Sequence, residues 1–94
     1  MNVVGLMSGT SGDGVDAALV EITRTRKGLS IQPRCFQALP YPRSLQQRIL
    51  AASAAGSVAE ICHLNALLGE WFANAALGVI RAAGLRPKQI DLIG

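Results

Sequence analysis

Between Asn2 and Asp16 the chain runs from an aliphatic segment into a stretch crowded with glycine. Gly9, Gly12 and Gly14 alternate there with Thr10, Ser11 and Asp13. Asn2 to Met7, with β-branched Val3 and Val4, reads as a short buried strand. Ser8 to Gly14 then reads as a loop with unusual backbone demands, because glycine opens conformations that a Cβ forbids.

Three loop chemistries compete for this stretch. A Walker-type phosphate loop needs a lysine after its last glycine, and no lysine occurs before Lys27, so it is excluded. Gly12-Asp13-Gly14-Val15-Asp16-Ala17 fits the dinucleotide pattern G-x-G-x-x-A, but that motif must follow a strand directly and open a helix. Here Ser8 to Ser11 intervene, and Asp13 would repel a pyrophosphate. The third type is a turn between antiparallel strands that wraps a nucleotide's phosphates. Small residues let backbone amides approach the anion, hydroxyls donate to its oxygens, and an acid holds Mg²⁺, usually through water. Gly9, Thr10, Ser11, Gly12, Asp13, Gly14, Val15 and Asp16 form this candidate site, with Asp13 or Asp16 as the metal-side acid. A glycine-rich hairpin without a ligand is the plainer alternative, yet it has no need of two hydroxyls and two acids.

Asp16 to Arg24 carries two patterns. Val15, Leu19 and Ile22 have helical spacing, whereas Ala18, Val20 and Ile22 alternate as on a strand. Arg26-Lys27-Gly28 is turn-like, and Leu29 to Gln37 follows with one proline, so a β-hairpin is expected. Pro40-Tyr41-Pro42 breaks the chain. Ser44 with Gln47, and Ser57 with Glu60, have capping-box spacing. The pattern predicts a short helix to about Ser53, a break at Gly56, and a long helix from Val58. That helix presents Val58, Ile61, Leu64, Leu68, Trp71, Ala75 and Val79 on one face and ends at Gly84. Ile90 to Ile93 begins another strand, expected to run parallel to an earlier one.

The 94 residues allow one domain at most. A compact body of this size has a radius of gyration of roughly 12 Å and a diameter of roughly 30 Å, whereas the long helix would measure about 40 Å. That mismatch, and a final strand with nothing after it to cover the sheet, give the expectation of a fragment of a larger body. Half of the residues are hydrophobic and four are aromatic, so the core is aliphatic. Of nine basic residues, Arg24, Arg26, Lys27, Arg34, Arg43 and Arg48 fall close together. No aromatics alternate with them as base stacking prefers, so they read as solvated surface and no nucleic-acid partner is expected. Cys35 and Cys62 lack partners at metal-ligand spacing and read as buried thiols. With no basic leader and no membrane-length apolar run, the expectation is a cytoplasmic chain without a membrane partner. His63 is expected on a solvated helix face, Trp71 and Phe72 in the core, Asn65 and Glu70 close to the apolar face of the helix, with packing behind the glycine loop as the lesser alternative, and Asp91 at the exposed start of its strand.

Gly5-Leu6-Met7-Ser8-Gly9-Thr10-Ser11, followed by Asp13-Gly14-Val15-Asp16, resembles the opening signature of the anhydro-N-acetylmuramic acid kinases. His63-Leu64-Asn65, Leu68-Gly69-Glu70 and Phe72-Ala73 resemble that family's long helix, and Ile90-Asp91-Leu92-Ile93-Gly94 resembles the strand leading to its next active-site loop. At position 12 the family usually carries a larger residue, so Gly12 should loosen the turn. The wider superfamily has an acid where Met7 stands, a difference the narrower family shares.

The resemblance implies an α/β, ribonuclease-H-like (actin-like ATPase) fold in two lobes. Residues 1–94 would form a βββα(α)β part of the N-terminal lobe, with the phosphate-binding loop at 9–16. It also implies ATP and Mg²⁺ as cofactors, a small-molecule sugar substrate, and a bacterial cytoplasmic setting. The implied reaction opens the 1,6-anhydro ring with water and phosphorylates O6, giving N-acetylmuramic acid 6-phosphate in cell-wall recycling. The catalytic base lies downstream, so no catalytic residue is expected within this chain and the chain alone is expected to be inactive. The complete enzyme is a candidate homodimer. A non-enzymatic nucleotide-binding or interaction module of the actin and heat-shock-chaperone type is the rival from another class, and a nicotinamide dinucleotide-binding fragment is the third.

Overall fold

A computed structural model describes residues 1–9 and 12–94. Strand β1 (Asn2–Ser8) leads through the glycine-rich segment into β2 (Gly14–Thr25) and then β3 (Gly28–Pro40). Helices α1 (Arg43–Ala55) and α2 (Val58–Ala82) follow, then a single 3₁₀ turn (Pro87–Gln89) and β4 (Leu92–Ile93). The sheet order is β3-β2-β1-β4. The first three strands form an antiparallel meander, and β4 lies parallel to β1 on its free side. This is the expected order of elements, and it settles the double pattern after Asp16. The segment alternates as a strand, but the buried row is Val15, Ala17 and Leu19, while the expected row of Ala18, Val20 and Ile22 lies on the other face and is only half-buried.

Register explains how the sheet makes its core. Val4 faces Leu19, Leu6 faces Ala17 and Ser8 faces Val15 across β1 and β2, while Val15 faces Leu39 and Leu19 faces Cys35 across β2 and β3. Successive side chains on a strand point to opposite faces, so these residues share the side covered by α2. Val4, Val15, Ala17 and Leu19 meet Leu64, Ala75, Ala76, Val79 and Ile80 there in one cluster. The opposite face carries Gly5, Met7, Ala18 and Phe36, and it is open: Met7 is 67% exposed and Phe36 64%.

The β2–β3 hairpin turns at Arg26-Lys27, where Thr25 pairs with Gly28 and glycine supplies φ +125°. Arg24, Arg26 and Lys27 are exposed at this end. The register slips by one residue between Leu19 and Val20, so β3 carries an extra residue at Arg34. Such a bulge re-aims a side chain, and the Arg34 guanidinium pairs with the Glu21 carboxylate.

Helix α1 starts two residues earlier than Ser44 would set it. Pro42 is the cap residue and its carbonyl accepts from the N–H of Gln46 at 3.0 Å, leaving Ser44 inside the helix with no capping role. The second expected cap forms, since Ser57 Oγ accepts from the N–H of Glu60 at 3.1 Å. The Glu60 carboxylate turns to α1 and accepts from Arg48 Nε at 3.2 Å. Between the helices, a Cβ on Gly56 would lie 2.8 Å from the backbone of Ala52, so glycine is required for the close corner.

Helix α2 buries its C-terminal two-thirds. Val58 is 79% exposed and Ile61 also lies at the surface, which departs from the expected continuous apolar face, because α1 covers only part of the first turns. Trp71 and Phe72 are half-buried against the core, and His63, Asn65 and Glu70 are exposed. Cys35 is half-buried and Cys62 exposed, which corrects the expectation of two buried thiols. The helix ends in a Schellman motif. Gly84, at φ +74°, donates to the Arg81 carbonyl at 2.9 Å, and Leu85 donates to the Ile80 carbonyl at 3.1 Å.

Pro87-Lys88-Gln89 take up the 3₁₀ turn, so β4 is shorter than Ile90 to Ile93. Asp91 is exposed just before the strand, as expected, and its carboxylate accepts from the N–H of Asn2 at 2.7 Å. The radius of gyration is 15.7 Å, with extents of 51 × 26 × 19 Å. This exceeds the value for a compact body because α2 and the long hairpin both outrun the core.

Candidate phosphate-binding site

The segment from Gly9 to Asp16 connects β1 to β2 and runs into the start of β2. Thr10 and Ser11 lie outside the described residues. Gly9 is exposed, and its carbonyl accepts from the N–H of Gly12 at 3.0 Å. Gly12 is buried at φ +62°, a conformation glycine enters without steric cost. A Cβ there would meet Ile49 Cγ2 of α1 at 3.3 Å. Glycine at position 12 therefore does more than loosen the turn: it allows the backbone to rest against α1.

Gly14 has a different constraint. A Cβ on it would stand 2.7 Å from the Leu39 carbonyl oxygen and 2.9 Å from Pro40 Cα. This glycine lets β3 close on the start of β2. Val15 has no exposed surface and is paired with Ser8 on one side and Leu39 on the other, so neither its side chain nor its backbone is open to a ligand, which corrects its place among the expected site residues.

Asp13 and Asp16 are both exposed, and both line one surface depression with Gly14, Val15, Ala38, Leu39 and Pro40. Asp16 pairs in register with Met7 and Ala38, on the sheet face away from the helices. Among the described residues no three acids, histidines or cysteines are grouped to hold a metal by themselves. Two carboxylates in one depression suit a cation that completes its shell with water and phosphate oxygens, as Mg²⁺ does. No basic residue lies between Gly9 and Asp16, so an anion bound here would need such a cation or charge from elsewhere.

Two residues outside the glycine-rich stretch, Tyr41 and Ile49, support this segment. The Tyr41 backbone N–H donates to the Asp13 carbonyl at 2.9 Å. The Tyr41 hydroxyl donates to Ser8 Oγ at 3.2 Å. Its ring meets Trp71 edge-on, with centroids 5.5 Å apart and planes at 88°. Ile49 lies beneath Gly12. The sequence carries one sign of this role: the chain's single tyrosine is bracketed by two prolines. Asn65 and Glu70 do not support the loop in this way, since both are exposed on α2.

The arrangement also decides against the dinucleotide pattern. That motif needs a helix opening after Gly14, and β2 is a strand paired on both sides.

The family model for anhydro-N-acetylmuramic acid kinase matches residues 1–94. Similar proteins bearing that name include one from Caldanaerobacter subterraneus subsp. tengcongensis, 50% identical over 94 residues, covering 98% of this chain and 24% of the relative. One from Salinibacter ruber is 42% identical over 94 residues, covering 98% of this chain and 24% of the relative. One from Bacillus thuringiensis subsp. konkukian is 38% identical over 96 residues, covering 100% of this chain and 25% of the relative. The chain thus spans about a quarter of the length of the curated relatives it matches. With a family match over every residue and an element order to suit it, this chain belongs to the anhydro-N-acetylmuramic acid kinase family.

Proposed function

We propose that residues 1–94 form the phosphate-binding part of the N-terminal lobe of an ATP-dependent sugar kinase with a ribonuclease-H-like, actin-like fold. The substrate is 1,6-anhydro-N-acetylmuramic acid. Water adds at C1, the bond from C1 to the bridging O6 breaks, and O6 takes the γ-phosphoryl group of ATP. The products are N-acetylmuramic acid 6-phosphate and ADP. The observation that carries the reading is the glycine turn between two antiparallel strands, with Asp13 and Asp16 lining one depression beside it.

In this reading the backbone from Gly9 to Gly14 and the hydroxyls of Thr10 and Ser11 hold the phosphates. Asp13 or Asp16 orients the cation through water. When bound, Mg²⁺ neutralises charge on the phosphates; phosphoryl transfer depends on such positioning and neutralisation more than on covalent catalysis by the protein. The catalytic base and the adenine site belong to parts of the enzyme beyond this segment. The enzyme works in the cytoplasm, and no helix among the described residues is long and apolar enough to cross a membrane.

The test is Asp13→Asn and Asp16→Asn in the full-length kinase, with steady-state rates measured against ATP, Mg²⁺ and sugar. The reading predicts that at least one variant weakens the ATP and Mg²⁺ dependence while the folded fraction holds. Loss of activity only in proportion to loss of folded protein would overturn it.

A further inference from the structure

We infer that Tyr41 is a positioning residue for the nucleotide phosphates, acting by holding both ends of the loop from Gly9 to Gly12; the inference rests on the phosphate-loop reading above. Its hydroxyl donates to Ser8 Oγ, on the last residue of β1, at 3.2 Å. Its backbone N–H donates to the carbonyl of Asp13, just before β2, at 2.9 Å. One residue thus ties the points where the chain leaves and rejoins the sheet.

Tyr41 is itself held firmly. It is 7% exposed, and its ring is fixed edge-on against Trp71 of α2. Pro40 and Pro42 restrict the backbone on either side, since proline locks its own φ and narrows the residue before it. Leu45 and Trp71 belong to the same core assembly as the Tyr41 ring. The hydroxyl, by contrast, reaches an exposed serine. Removing it takes little from the core, because Ser8 can turn to water. What changes is the freedom of Ser8, from which the chain enters the loop. Amides that must meet phosphate oxygens at hydrogen-bond distance lose much of their effect when misplaced by a fraction of an ångström.

The experiment compares wild type, Tyr41→Phe, Ser8→Ala, the double variant and Ser8→Thr in the full-length kinase. KM for ATP is measured at saturating sugar and KM for sugar at saturating ATP. Binding of a non-hydrolysable ATP analogue with Mg²⁺ is followed by calorimetry, and Tm is recorded. We expect Tyr41→Phe and Ser8→Ala each to raise the KM for ATP about fivefold, because a loop that is no longer pre-organised must be ordered when the nucleotide binds. Sugar KM and Tm should stay at wild type, the double variant should be no worse than either single one, and Ser8→Thr should restore nucleotide affinity.

If Tyr41→Phe and Ser8→Ala leave ATP affinity unchanged while Asp13→Asn or Asp16→Asn weakens it, the loop reading stands and the role of Tyr41 is refuted. If none of these variants alters the nucleotide terms, the loop reading itself fails. A fall in Tm that shifts both KM values together would make Tyr41 a core residue only, which also overturns the inference.

Discussion

Gly14 and Leu39 approach so closely that a single methyl group cannot fit between them: a Cβ on Gly14 would stand 2.7 Å from the Leu39 carbonyl oxygen. The contact lies where β2 begins and β3 ends, beside Asp13 and Asp16. Gly14→Ala must push the two strands apart at the loop. Overpacking of this kind costs about 1–3 kcal/mol. Denaturant unfolding of the full-length protein should show a lower midpoint with an unchanged slope. A midpoint at wild type would mean that β2 and β3 do not meet this closely.

The two acids differ in what holds them. Asp13 precedes β2 and its carbonyl is tied to Tyr41, whereas Asp16 is fixed within the sheet between Met7 and Ala38. Both are exposed, so neither carboxylate is needed for folding. At least one of Asp13→Asn and Asp16→Asn should lower phosphoryl transfer by at least about tenfold, or about 1.4 kcal/mol of transition-state stabilisation, while unfolding stays within about 0.5 kcal/mol of wild type. Steady-state kinetics beside denaturant titration checks both halves. An equal loss of rate and of stability would defeat the assignment.

Ser57 and Ser44 offer a paired comparison. Ser57→Ala removes the oxygen that accepts from the Glu60 N–H and should cost about 1 kcal/mol. Ser44→Ala lies within α1, where alanine is the better helix former, so it should be neutral or stabilise by a few tenths, ~0.3 kcal/mol. Thermal unfolding of the two variants side by side distinguishes a true cap from a matching spacing.

The Arg48–Glu60 pair joins α1 to α2 at 3.1 Å, but both side chains are about 40% exposed. Solvent screens such pairs, so Arg48→Ala should cost less than about 1 kcal/mol and the loss should shrink in high salt. A larger cost that persists in molar salt would show that packing of the Arg48 stem, not charge, links the helices.

The order of strands and helices was legible because periodicity and punctuation agreed. Gly56 and Gly84 marked breaks that the backbone needs. Elsewhere the pattern was open. Val15, Leu19 and Ile22 matched a helix while Ala18, Val20 and Ile22 matched a strand, and the buried row that decides it includes Ala17, too small to stand out in any hydrophobic count. Ser44 met the spacing of a cap, yet Pro42 had already started the helix. Val58 and Ile61 belonged to the apolar stripe of α2, but whether a stripe is covered depends on a neighbour that the stripe does not describe. The loop residues were visible by composition. Their support was not, because Tyr41 acts through a backbone N–H and a hydroxyl that reaches 33 positions back along the chain.

The slipped register at Arg34 has a further consequence. β3 lies at the border of the sheet, and along its length Leu29, Ile31 and Phe36 are exposed. A long, flat, apolar border strand invites a foreign strand to add on and seeds aggregation. Pro33 offers no N–H to an incoming chain, and the extra residue beside it twists the border and breaks its repeat. Arg34, held by Glu21, sets charge at the same point. The irregularity in the middle of β3 thus acts as a gatekeeper, dividing one adhesive border into two shorter pieces that are out of step with each other.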